Sequence, residues 1–221
     1  MDAQAILASD HRLSDAEAGR VEQTRKTLAS YGDAGWEAEP VTVGVVAANL
    51  LAAFTALPFV LAEAAASVAV SGEALPAMDA RGFVAFVASA VVLTVLHELC
   101  HGAFWAMSAR SGSASISFGF ILKTLTPYCH CSEPLGTRGY AAGLLAPLIL
   151  TGLLPAAIGI CMGSPVLLVA GYAMTFGAGG DLLIAALMVS RIARLQGSEA
   201  EWLDHPSKIG AIMLRRRRWR G

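Results

Sequence analysis

Charge is what this sequence has least of. Of its 221 residues only 15% are charged, against 55% hydrophobic, where a soluble domain carries about 25% charged and about 45–50% apolar residues. The shortage is uneven. Residues 40–62, 82–96 and 139–180 contain no Asp, Glu, Lys or Arg at all. The last of these runs is too long for any element of a soluble core. A helix needs roughly 20 apolar residues to cross the hydrocarbon of a bilayer. Cysteine is also sparse. Cys100, Cys129, Cys131 and Cys161 form no C-x-x-C pair, and two of the four, Cys100 and Cys161, fall in the spans expected below, which argues against a disulfide framework. An apolar stretch is missing from the first 39 residues as well, so the N-terminus does not read as a signal peptide. No basic domain surrounds the Arg215–Arg218 run, which argues against nucleic acid as a partner.

What is present is a polytopic, mainly α-helical membrane pattern. Four spans are expected at about 41–66, 82–108, 139–162 and 165–190. A polar leader at 1–40 precedes this membrane domain of 41–191, and a basic tail at 192–221 follows it. Within the leader, Ser14 and Glu17 form a capping box for a surface helix. Between the second and third spans, two β-rich runs, Ala114–Leu122 and Leu125–Cys131, flank Lys123-Thr124 and predict a short β-hairpin at about 114–131.

The distribution of Lys and Arg orients this arrangement. Residues 1–39, 109–138 and 191–220 hold 15 of the 16, and the segments between spans one and two and between three and four hold only Arg81. Cytoplasmic segments carry the excess of Lys and Arg. The expectation is a multi-pass protein of the cell membrane with both termini cytoplasmic. The arginine run then acts as a topology signal that also attracts anionic lipid.

The second span contains His97-Glu98-Leu99-Cys100-His101, an H-E-x-x-H sequence. Residues four apart on a helix share a face, so both imidazoles can reach one zinc ion. Glu98, beside them, can act on a metal-bound water whose pKa the zinc brings toward about 7. Three ionisable residues within five positions of a span are costly, and such residues mark function. A zinc site also needs a third protein ligand. Asp181, in Gly179-Gly180-Asp181, is the leading candidate on depth. His97 follows Gly82 by 15 residues and Asp181 follows Pro165 by 16. In two spans running the same way, both lie roughly 22–24 Å along at 1.5 Å per residue. His130, between Cys129 and Cys131, and His205, in Asp204-His205-Pro206, are the other candidates. For His130, substrate contact or simple exposure is as good a reading; for His205, a solvated loop position is better. Cys100 reads as a packing residue.

Taken in order, H-E-L-C-H-G, PYCHCSEPL, GGDLL and DHPSKIG resemble a bacterial family of zincin-type peptidases of unknown function, over roughly residues 85–210. More distantly the order resembles the site-two intramembrane proteases, with a membrane-associated β-hairpin, a Gly-Pro-Leu-containing span whose counterpart here is Ala146-Pro147-Leu148, and a late Asp ligand, usually in an Asn-Pro-Asp-Gly-like motif, whose counterpart is Asp181 in Gly-Gly-Asp. The resemblance implies a zinc metalloprotease acting on protein or peptide substrates in or near the bilayer. The competing readings are a membrane protein with a structural metal site and a zinc transporter. Glu98 separates them, since only hydrolysis calls for a base beside the first histidine.

Overall fold

The computed structural model describes residues 3–9, 13–121, 126–195 and 199–216. The expected hairpin turn at Lys123-Thr124 and the arginines from 217 onward lie outside the described residues. The fold is mainly helical. In chain order it comprises α1 (Ala3–Leu7), α2 (Asp15–Asp33), β1 (Trp36–Val43), α3 (Val45–Ser71), α4 (Ala80–Ser108), β2 (Ile116–Ile121), β3 (Thr126–Cys131), β4 (Leu135–Gly136), α5 (Thr137–Pro147), α6 (Leu154–Met162), α7 (Pro165–Gly177), α8 (Gly179–Ile192), β5 (Ala200–Asp204) and β6 (Ile209–Arg216).

Three helices are long and apolar enough to cross a membrane: α3, α4, and the continuous α5–α6 rod from Thr137 to Met162. The pair α7–α8, bent by 42°, is a fourth if counted as one span. Local chemistry sets the ends. Gly72, with φ of 79°, closes α3 in the left-handed conformation. The Asp79 carboxylate caps α4 by accepting from Gly82 N–H at 2.8 Å. Ser164 caps α7 ahead of Pro165 at its first turn. The Ser14–Glu17 capping box of α2 is formed in both directions.

The α5–α6 rod is interrupted by a π-helical segment, Leu148–Leu153, between Pro147 and Pro155. Neither proline has an N–H to donate, so the i→i−4 ladder cannot run through this stretch unbroken. The hairpin β2–β3 pairs antiparallel, Ile116 to Cys131 through Ile121 to Thr126, and packs against α4. Ala114 and Ser115, expected within the first strand, belong instead to a turn of 3₁₀ helix, Gly112–Ser115.

The two polar ends hold structure that hydropathy did not disclose. Residues 36–43, at the expected start of the first span, form β1. Strands from the leader, the inter-span segment and the tail make one four-stranded sheet in the order β1-β6-β5-β4, with Trp36 opposite Arg216 and Val43 opposite Ile209. Alternation along β5 and β6 sends Trp202 and Met213 toward Trp105, Tyr140 and Leu144 of the helical bundle. Leu203, Ile212 and Leu214 face the other way, against Ile6, Leu7, Val21 and Leu28 of α1 and α2. With both faces covered, these strands read as apolar runs without the period-two signature. The sheet gathers the leader, the 109–138 segment and the tail at one end of the bundle, opposite the Gly72–Asp79 loop and the Gly163–Ser164 turn.

Candidate metal centre

Four residues of α4 are buried: His97, His101, Gly102 and Trp105. The remaining apolar positions near them, such as Val95, Leu96 and Leu99, lie on the outer surface of the bundle. An i, i+4, i+8 stripe of His, His and Trp is therefore the inward face of this helix. Asp181 enters from the first turn of α8. Gly179 lets that helix pack closely on α3: a Cβ there would lie 2.3 Å from the Ala52 carbonyl oxygen.

His97 Nε2 is 3.2 Å from Asp181 Oδ2, and His101 Nε2 is 3.5 Å from Asp181 Oδ1. The three ligand atoms lie within 4.8 Å of one another, and this is the one such group of His, Cys, Asp and Glu among the described residues. The opposite side of each ring shows which nitrogen carries its proton. His101 Nδ1 is 2.9 Å from the Gly143 carbonyl, which can only accept, so Nδ1–H donates. Thr151 Oγ1 donates its hydrogen to the Pro147 carbonyl at 2.7 Å. Being 3.4 Å from His97 Nδ1, it accepts there. Both rings thus turn Nε2 to the Asp181 carboxylate: protonated, each Nε2–H donates to it as an ion pair, and neutral, the two Nε2 lone pairs and the carboxylate converge as ligands for one cation. Ligands about 2.0–2.1 Å from a tetrahedral zinc sit about 3.3–3.4 Å apart, close to the two His–Asp separations. The donor set fits zinc, with Gly143 and Thr151 as the outer partners that orient the imidazoles.

The Gly143 carbonyl is available for a covalent reason. In a regular helix it would accept from residue 147, which is Pro147 and has no N–H. Gly143 must also be glycine: a Cβ there would come within 2.0 Å of Trp105 Nε1. The Trp105 indole donates to the Tyr140 carbonyl at 3.1 Å and stacks on His101, ring centroids 5.0 Å apart. Gly143 and Thr151 were absent from the sequence reading, and Pro147 entered it only within Ala146-Pro147-Leu148, although a proline four residues after a glycine in an apolar helix was a legible sign of a free carbonyl.

Glu98 is half-buried beside the triad, near the Cys129 backbone N–H of β3. His130 lies away from the group. It is buried, with Nδ1 3.6 Å from Asp204 Oδ2, and burial among these neighbours lowers its pKa below the usual histidine value. Asp204 also accepts from Tyr140 OH at 2.6 Å and from Cys131 N–H at 2.8 Å. His205, expected to be solvated, is buried. Its Nδ1 accepts from the N–H groups of Ser207 and Lys208 at 3.3 and 3.0 Å, and Nε2 donates to the Ile6 carbonyl at 3.1 Å. It shapes the β5–β6 turn and has no nitrogen left for a metal. Cys100 is half-buried and outside the group.

No curated protein and no solved structure matches the chain. Residues 90–194, the stretch that carries His97, Glu98, His101 and Asp181, match the model of the family described as putative zincin peptidase.

Proposed function

We propose that this protein is a zinc-dependent endopeptidase working within the membrane on peptide bonds of embedded or membrane-adjacent proteins. The convergence of two Nδ1-protonated histidines and one aspartate on a point inside apolar helices, with Glu98 alongside, carries this reading. His97, His101 and Asp181 would hold the zinc, three protein ligands leaving a coordination position open as catalytic sites require. When bound, zinc supplies Lewis-acid polarisation of a carbonyl and acidification of water. The chain's own residues do the rest. The Glu98 carboxylate takes a proton from the attacking water and delivers it to the departing amine. Gly143 and Thr151 hold the imidazole tautomers. The apolar walls of α4 and α5 keep bulk water out.

The hairpin beside Glu98 is the expected docking strand for an extended peptide. On β3 the N–H groups that alternate away from β2 belong to positions 127, 129 and 131. Residue 127 is proline, and Cys131 donates to Asp204. A substrate strand on this edge would therefore meet carbonyl acceptors and the Cys129 N–H, which brings it up beside Glu98.

With both termini cytoplasmic, the catalytic group sits nearer the cytoplasmic end of its helices. Metal analysis of purified protein, paired with cleavage of a membrane-reconstituted peptide, tests the proposal. About one zinc per chain and metal-dependent cleavage are expected, both lost in His97→Ala. Zinc bound at full occupancy with no cleavage of any membrane peptide would favour a structural metal site, and zinc crossing sealed vesicles would favour transport.

A further inference from the structure

A second acidic residue lies inside the bundle and takes no part in the metal centre. Glu63 belongs to α3, 8 residues before Ser71, which places it about 12 Å in from that end of the helix. It is 7% exposed. Its Oε1 accepts from Thr175 Oγ1 of α7 at 2.8 Å. Its Oε2 is buried and has no hydrogen-bond partner among the described residues. A serine or glutamine would join two helices through Thr175 without burying a carboxyl group in hydrocarbon. An ionisable side chain at such depth marks a polar pathway, and a buried polar atom without a protein partner is what an internal water satisfies.

The neighbours of Glu63 extend this polarity both ways. One turn toward the helix end is Ser67, 1% exposed, and one turn further is the exposed Ser71, the two hydroxyls 3.5 Å apart. Ser67 also donates to the Glu73 carbonyl in the loop. In the other direction, Thr175 sits over Gly152, where a Cβ would lie 2.6 Å from Thr175 Oγ1. The adjacent residue, Thr151, reaches His97 Nδ1. Ser71, Ser67, Glu63, Thr175 and Thr151 thus mark a file of polar side chains from the loop end of the bundle to the outer side of a metal-site histidine. The helices around it are apolar.

We propose that Glu63 is the water-binding station of this file, through which water enters the centre of the bundle from the Ser71 end. Its purpose rests on the hydrolase reading, since each peptide bond cleaved consumes one water in a site enclosed by apolar helices. Its existence does not, and can be measured without activity. Full-length protein in bilayers, carrying Thr175→Cys, Ser67→Cys or the outward-facing Val68→Cys, is treated with a small charged methanethiosulfonate and read site by site by mass spectrometry, which keeps the native cysteines separate. The thiolate reacts and forms only where water reaches it, so positions 175 and 67 should be modified about tenfold or more faster than position 68. Glu63→Leu should slow modification at 67 and 175, and Glu63→Gln, which keeps polar partners for water, should not. In the enzyme with native Thr175, Glu63→Leu should lower kcat about tenfold with zinc content and KM unchanged, and Glu63→Gln should restore it. Labelling at 175 and 67 as slow as at 68, or full-rate cleavage by a zinc-loaded Glu63→Leu protein, overturns the proposal. If the wild type proves to cleave nothing, the peptidase reading fails and the labelling alone decides.

Discussion

At the scale of single residues, the proposed mechanism separates ligation from proton transfer. His97, His101 and Asp181 point their ligand atoms at one another, and Glu98 lies outside that group. Replacing Glu98 by Gln keeps the size and the polarity but removes the base. Zinc content and thermal stability should therefore stay near those of the wild type while the cleavage rate falls about 10²–10⁴-fold. Asp181→Asn should instead lower zinc affinity and rate together. Paired metal analysis and single-turnover assays distinguish the two patterns. A Glu98→Gln protein that cleaves at the wild-type rate would remove the base from the mechanism.

At the scale of elements, the π-helical break in the third span connects backbone chemistry to the metal centre. Pro147 withholds an N–H from Gly143, and the carbonyl so freed holds His101 at 2.9 Å. Pro147→Ala supplies a competing donor one helical turn away. Outer hydrogen bonds to metal-binding histidines are typically worth 10–100-fold in metal affinity. The variant should accordingly bind zinc on the order of tenfold more weakly while keeping the helical circular dichroism of the wild type. Zinc affinity unchanged within error would show that the Gly143 contact does not orient the ring. The same element explains a limit of hydropathy. Composition locates the span at 139–162, but the register of hydrogen bonds inside it depends on the two prolines and on what α4 presents to them.

At the scale of the whole molecule, the leader, the inter-span segment and the tail meet in one sheet, so apolar helices that cross a membrane do so an even number of times between them. Reporter fusions at Ser71 and at the C-terminus should accordingly report opposite sides of the membrane; agreement between them would reject four crossings. The sheet also carries a pH dependence. Burial, chiefly, lowers the His205 pKa from its ordinary 6.5, because its Nδ1 must stay unprotonated to accept from Ser207 and Lys208. A neutral histidine favoured in the folded state stabilises fully above the unfolded-state pKa. That contribution is lost as pH falls from about 6.5 through the depressed folded value. The melting temperature of the purified protein should thus drop between pH 7.5 and pH 5.5, and His205→Gln should flatten the drop. An identical pH slope in the variant would place the sensitivity elsewhere, with buried His130 the next residue to test.

Composition alone located helices in the apolar segments 40–62, 82–96 and 139–180, because no charge interrupts them, although the start of the first, Pro40–Val43, is strand instead. Helical periodicity alone placed His97 and His101 on one face, and equal depth brought Asp181 to their level. These are local or one-dimensional properties, so a single chain read end to end contains them. The sheet was different. Residues 36–43 and 209–216 are far apart in sequence; Ala211–Leu214 is buried on both faces and shows no period-two pattern, and the short Trp36–Glu39 alternation does not name its partner strand. The fate of His130 and His205 was likewise a tertiary matter, since a histidine between two cysteines or before a proline has the same local signature whether it ligates, is solvated or is buried. Asp204 beside one and the Ile6 carbonyl beside the other decided it, and both partners come from distant parts of the chain.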